Sequence, residues 1–164
     1  NAAPLRDNFI VRVFAAHRLQ QLLNHFSLQA LVKFQEAHKY LLLAHSPKHA
    51  RLLGRLVAEA KKYEEEDLKK RYADAFMHGL SCAATAKKNS NVLQHMFGFL
   101  KKQLNAREKT DLLASIDDYR RGLVPLVVPL TLLGHYVKVR EISYLLNQVY
   151  LHPHPKELML RNHV

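Results

Sequence analysis

Cysteine is nearly absent: the 164-residue chain has one, Cys82. An internal disulfide is therefore excluded, and so is an iron–sulfur or zinc site held by several thiolates. A lone thiol fits a reducing compartment, so the expected location is the cytoplasm. Glycine and proline are also scarce, at 5 and 6 residues, too few for a turn-rich β protein. No apolar run approaches the roughly 20 residues of a membrane span, and the longest, Leu123 to Leu133, is interrupted by Pro125 and Pro129. No membrane partner is expected. No signal peptide is visible and there is no initiator methionine; Asn1-Ala2 reads as a scar of tag cleavage. The most consequential shortage is of negative charge. Fourteen Asp and Glu face 25 Lys and Arg, a net +11 with histidines neutral, which points to a polyanionic partner.

What is present is helical periodicity, in a chain 48% hydrophobic and long enough for one proper core. From Asp7 to Leu23, the residues Phe9, Ile10, Val13, Phe14, Leu19, Leu22 and Leu23 recur at helical spacing. Ser27 is a good N-cap for a second helix carrying Leu31, Phe34, Ala37, Leu41 and Ala44 inward. Ser46-Pro47 reads as N-cap plus first-turn proline of a third. A long polar helix is expected from about Glu64 to Ala84, and the next from near Asn91 to about Leu104. Asn105 with Glu108 is a capping-box pattern ahead of Leu112, Leu113 and Ile116, and Gly122 ends that helix. A short buried helix with an irregular start follows around Pro125 and Pro129. A last one near Ile142–Asn147 leads into the extended His152-Pro153-His154-Pro155. The predicted fold is all-α: a single-domain helical bundle of six to eight helices over residues 1–164.

The charge is unevenly placed. Between Lys61 and Leu80, five bases meet five acids, and Glu65–Lys69, Glu66–Lys70 and Asp67–Arg71 are i,i+4 pairs in the favourable order. That stretch reads as a solvated, self-paired face. The excess lies in residues 1–60 and 81–110, each at +5. Lys87, Lys88, Lys101 and Lys102 bracket one helix and suit contacts to a phosphate backbone.

Polar side chains also stand where periodicity alone does not ask for them. His38, Leu42 and His45 share one helix face. Asn91, His95, Gly98 and Lys102 form another stripe, with Gly98 allowing close backbone approach. Asp118-Tyr119-Arg120-Arg121-Gly122 precedes the two prolines and His135. The C-terminal segment holds Gln148, Tyr150, His152, His154, Lys156, Glu157, Arg161, Asn162 and His163, which suggests that it docks back on the bundle. Metal-binding spacings of the HExxH or repeated Glu-x-x-His type are missing, as are a nucleophile elbow and a glycine-rich phosphate loop. Cys82, in an alanine-rich stretch, reads as a small core residue.

These strings resemble the YbgA-like family, a domain of unknown function found alone or fused behind a thiouracil-desulfidase-like domain. The resemblance runs from about Phe9 to Val164. It is carried by His38-Lys39, Ala44-His45-Ser46-Pro47, Asn91-Val92-Leu93-Gln94-His95, Gly98, Lys101-Lys102, Asp118-Tyr119-Arg120, Gly122, Pro125-Leu126, Pro129-Leu130, His135 and the run Tyr150 to Val164. It implies the tRNA-holding half of a system that removes sulfur from thiolated uridine (4-thiouridine). In such a system the iron–sulfur chemistry belongs to a desulfidase-like domain, fused or in trans, and this half has no cofactor or metal of its own. The expected nucleic-acid contacts are Lys39, Lys87, Lys88, Asn91, Gln94, His95, Lys101, Lys102, Tyr119, Arg120, Arg121 and Arg161. The alternative is a small enzyme with a pocket formed by His38, His45, His95, Asp118, His135, Tyr150, His152, His154, Glu157 and His163. A third reading is a helical scaffold for a protein partner.

Overall fold

A computed structural model of the chain describes residues 2–155, with side chains from Leu5 onward. Eight α-helices follow one another, and no strand occurs among the described residues: α1 Ala2–Asn24, α2 Leu28–His45, α3 Pro47–Ala58, α4 Glu65–Ser81, α5 Ala86–Leu100, α6 Ala106–Arg120, α7 Val127–Val139 and α8 Ser143–Leu146. Three 3-10 turns, Ala60–Lys62, Lys101–Gln103 and Val149–Leu151, join or end them. Among the described residues, no helix is long and apolar enough to cross a membrane.

Local chemistry places most boundaries. The Ser27 hydroxyl accepts from the Ala30 amide and starts α2. Ser46 does the same for His49, with Pro47 at the first position of α3, where its missing N–H costs nothing. Asn105 and Glu108 exchange bonds in a complete capping box. The α4–α5 boundary departs from expectation. Thr85 caps Lys88, so α4 stops at Ser81 and α5 begins five residues before Asn91, which places Lys87 and Lys88 within its first turn. A threonine cap was the signal that the periodicity had obscured.

One core holds the helices together. α2 lies at its centre, packed against α1, α3, α4, α5 and the 149–151 turn. Tyr40, Leu42, Leu53, Tyr72, Phe76, Leu93, Met96, Leu112 and Leu133 are fully buried there. The inward face of α1 is narrower than its pattern suggests: Val11, Ala15, Leu19 and Leu22 are buried, but Phe9 is 59% exposed and Val13 48%. Leu113 on α6 and Leu123 before α7 are also outside the core. A helix touching the core along one edge buries a stripe narrower than its full apolar set. Of the three expected pairs on α4, Asp67–Arg71 forms, whereas Lys69 turns to Glu66 instead.

Two helices end in the same left-handed device. At α6, Gly122 has φ 78°, its amide bonds to the Tyr119 carbonyl, and that of Leu123 to Asp118. At α7, Glu141 takes the same position with φ 51°, its amide bonding to Lys138 and that of Ile142 to Val137. A side chain is strained there and glycine is not. Gly122→Ala should therefore destabilise the fold by about 1 kcal/mol, and Glu141→Gly should stabilise it by roughly 0.5–1 kcal/mol. Opposite shifts in melting temperature check both.

Candidate functional site

The polar side chains singled out by the sequence separate into groups with different roles. His38 faces inward between α1 and α2, 2% exposed. Its Nδ1–H donates to the Phe34 carbonyl at 2.8 Å, and its Nε2 accepts from Arg18 Nε at 3.0 Å. A carbonyl only accepts and an arginine only donates, so the imidazole is neutral with its proton on Nδ1. Burial, then the Arg18 charge, pushes the His38 pKa down to about 4, against the opposing pull of the Phe34 bond. The ring stacks on Phe34 at 3.9 Å and meets Phe76 edge-on. Arg18 also reaches the Pro153 carbonyl at 3.4 Å, tying the end of the described chain to α1.

His45, the last residue of α2, is likewise buried and donates from Nδ1 to the Cys82 carbonyl at 2.8 Å. Burial first, then the charges of Lys88 and Arg12, lowers its pKa. Cys82 is half-buried in the α4–α5 connection rather than in the core, and its carbonyl contributes the structural contact. Lys88 donates to the carbonyls of His45 at 2.8 Å and Ala83 at 3.0 Å. A cation at a helix C-terminus satisfies orphan carbonyls and complements the helix dipole. Lys88 is thus committed to holding α2 against α5, which takes it out of the expected set of free phosphate contacts.

A third group is largely internal. Tyr150 donates to Asn89 Oδ1 at 2.6 Å, and Asn89 Nδ2 donates to the Tyr119 hydroxyl at 3.2 Å. Gln148 donates to the Glu36 carbonyl at 2.6 Å. These bonds dock the segment after α8 onto α2, α5 and α6, and burial pushes the Tyr150 phenol far up. Arg120 and Arg121 both pair with Asp117. His135 is exposed on α7 beside Tyr136, His152 is exposed, and His154 bonds to the Pro155 carbonyl. Asp118 is half-buried at the end of α6. Lys156, Glu157, Arg161, Asn162 and His163 lie outside the described residues. No hydrogen bond or ring contact among the described residues gathers these groups into one pocket, nor are three or more His, Cys, Asp or Glu there placed to hold a metal.

The α5 stripe is different, because it faces outward. Lys87, Asn91, Gln94, His95, Gly98, Lys101 and Lys102 are all exposed. Gly98 has no neighbour within 4 Å, as is true of Gly54 and Gly134, so its open backbone serves no packing within the described chain. Lys39, on the exposed edge of α2, joins this surface. Its ammonium lies 3.4 Å from the Tyr144 hydroxyl and 5.8 Å from the Tyr40 ring centre. Tyr144 meets Phe99 at 4.6 Å, Phe99 meets His95 at 6.0 Å, and His95 meets Tyr40 at 6.0 Å. The contacts close into a loop that joins α2, α5 and α8. Phe99 and Tyr144 had no part in the sequence reading, since each looks like an ordinary apolar position of its helix.

The sequence also leaves unmarked a cleft of about 550 Å³ between α3 and α4, lined by His49, Arg55, Tyr63, Asp74 and His78 among others. The helices approach closely there because residue 79 is glycine: a Cβ would lie 2.9 Å from that of His49. Charges of both signs line the cleft, and Arg71 is already held by Asp67 and Tyr63.

Comparison with known proteins finds matches over most of the chain. A family model described as "Protein of unknown function (DUF1722)" matches residues 39–155. The "Uncharacterized protein YbgA" of Escherichia coli (strain K12) is 32% identical over 158 residues, covering 95% of this chain and 94% of that protein. No solved structure matches.

The neutral imidazoles have a consequence for stability. In the unfolded chain histidine takes up its proton near 6.5, whereas folded His38 resists down to about 4. The unfolded state then binds more protons within that window, so stability falls as pH drops from 6.5 toward 4. For His38 the full loss is on the order of 3 kcal/mol, and His45 adds to it in the same direction. Urea midpoints at pH 7, 6 and 5 test this; an unchanged midpoint would mean that the imidazoles charge freely. Tyr150→Phe, which strands Asn89 Oδ1 in the interior, should cost about 1–3 kcal/mol at neutral pH in the same assay.

Proposed function

The chain belongs to the DUF1722, YbgA-like family, and we propose that it binds tRNA, as the holding partner of a desulfidase-like domain or protein that removes sulfur from thiolated uridine. The observation that carries this reading is the state of the cations. Among the described residues Lys62, Lys69, Arg71, Arg120, Arg121 and Arg140 have carboxylate partners and Lys88 has carbonyls, whereas other cations, on α1 and α3 among them, stand unpaired but not beside the Asn91–His95 stripe. Lys39, Lys87, Lys101 and Lys102 have no carboxylate partner among the described residues and are all exposed.

Free lysines on one helix and its neighbour suit phosphates spaced along a backbone, with counterion release as the driving force. Asn91, Gln94 and His95 supply donors and acceptors between them for ribose hydroxyls and base edges. With only one cysteine the chain cannot by itself hold a cluster on several thiolates, so the sulfur chemistry belongs to the partner. His38 and His45 are held in structural bonds while His95, His135 and His152 are exposed on other faces, which supports this reading over that of an enzyme built on a histidine pocket.

The test is tRNA affinity over a salt series, with thiolated and unmodified tRNA side by side. Binding should weaken steeply with salt. Replacing Lys101 and Lys102 by Glu should reduce affinity at least tenfold and flatten the log–log salt slope by roughly 1.5–2. Absence of tRNA binding at low salt, or affinity indifferent to those two charges, would overturn the proposal.

A further inference from the structure

We propose that Phe99 and Tyr144, with Lys39 and His95 at their rim, form a platform on which one unpaired nucleobase stacks. This deepens the tRNA-binding reading and rests on it: the contact would be made with a loop or an end, not with a stem. Tyr40, Tyr72, Phe76 and Tyr150 are buried in the core. Phe99 and Tyr144 are instead 44% and 49% exposed, although they touch each other. Their rings meet at 35°, between the offset-parallel and edge-on arrangements that aromatic pairs prefer. Such a pair leaves apolar ring surface in water, which a planar base can cover.

The rim says which planar group. Lys39 stands at the Tyr144 hydroxyl, and Lys101 and Lys102 follow Phe99 within one turn, none with a carboxylate partner among the described residues. A base carries its own phosphate, and these cations stand near both members of the pair. Beside Phe99, the Gly98 position is clear of neighbours, so a sugar–phosphate can lie against the helix backbone. Bases in a stem have both faces covered by their neighbours, whereas loops and ends offer a free face.

The experiment uses single-stranded RNA bearing one 2-aminopurine, against a blunt duplex of the same sequence. The chain contains no tryptophan, so the probe's fluorescence reports stacking without interference. The whole chain should quench the probe and prefer the single strand. Phe99→Leu with Tyr144→Leu keeps surface apolarity but removes both rings; it should abolish quenching and lower single-strand affinity about tenfold, with duplex binding unchanged. Phe99→Tyr with Tyr144→Phe should restore both. Circular dichroism confirms that each variant is folded. Wild-type quenching and affinity in the double-leucine variant overturn the platform while leaving tRNA binding intact, and would point to a protein docking patch. Absence of binding to either nucleic acid and to tRNA overturns both.

Discussion

A helix enclosed on most sides must find partners for the imidazoles it buries, and α2 carries two. Burying a charged imidazole without an anion is prohibitive, so the fold keeps both neutral and gives each a carbonyl to bond. That constraint organises much of the structure around it. His38 requires Phe34 below it and Arg18 across from it, and Arg18 in turn reaches the chain after α8. His45 requires the Cys82 carbonyl, which fixes where α4 ends, and Lys88 closes the same corner from α5. Three elements distant in sequence are positioned by two side chains on one helix.

The same enclosure defines what is left for function. With α1, α3, α4 and α5 against it, α2 exposes a narrow strip that ends at Lys39. Lys39 and His38 are adjacent in sequence and read as one string, yet one belongs to solvent and the other to the interior. A 100° turn per residue separates them, and a motif read as a single functional unit contains both a structural and a surface part. The string around Asn91 divides in the same way: Val92 and Leu93 enter the core, while Asn91, Gln94 and His95 face out.

Positive charge is sorted by pairing rather than by count. α4 has lysines and an arginine, but acids one turn away neutralise much of that face; Asp117 holds two arginines at the end of α6, and Glu108 holds Arg140. Exposed lysines without a carboxylate partner among the described residues line α5 and its 3-10 extension, with Lys39 from α2 beside them; others, such as Lys48, Arg51 and Arg55 on α3, stand elsewhere. Exposed pairs of this kind contribute little to stability, but they lower the local potential that a polyanion meets.

Helix class, number and most boundaries were legible in the chain, because caps and apolar periodicity are local: Ser27, Ser46-Pro47, Asn105 with Glu108, and Gly122 each act within a few residues. Thr85 was missed, and the longest polar helix was drawn too far as a result. The division of the charge, and the lysines of the α5 stripe, were legible for the same reason. Roles that depend on distant elements were not. Lys88 looked like its neighbour Lys87 until the end of α2 was seen beside it. Tyr119, an expected nucleic-acid contact, is bonded to Asn89, with Tyr150 beyond. Phe99 and Tyr144, 45 positions apart, look like ordinary apolar residues of two helices, and only tertiary packing made them an exposed pair. Sequence determined the helices and the charge pairs made within one turn, since both follow from near neighbours; the tertiary structure decided which polar groups are buried, which cations are held from afar and which aromatics meet, since these depend on what the fold brings opposite.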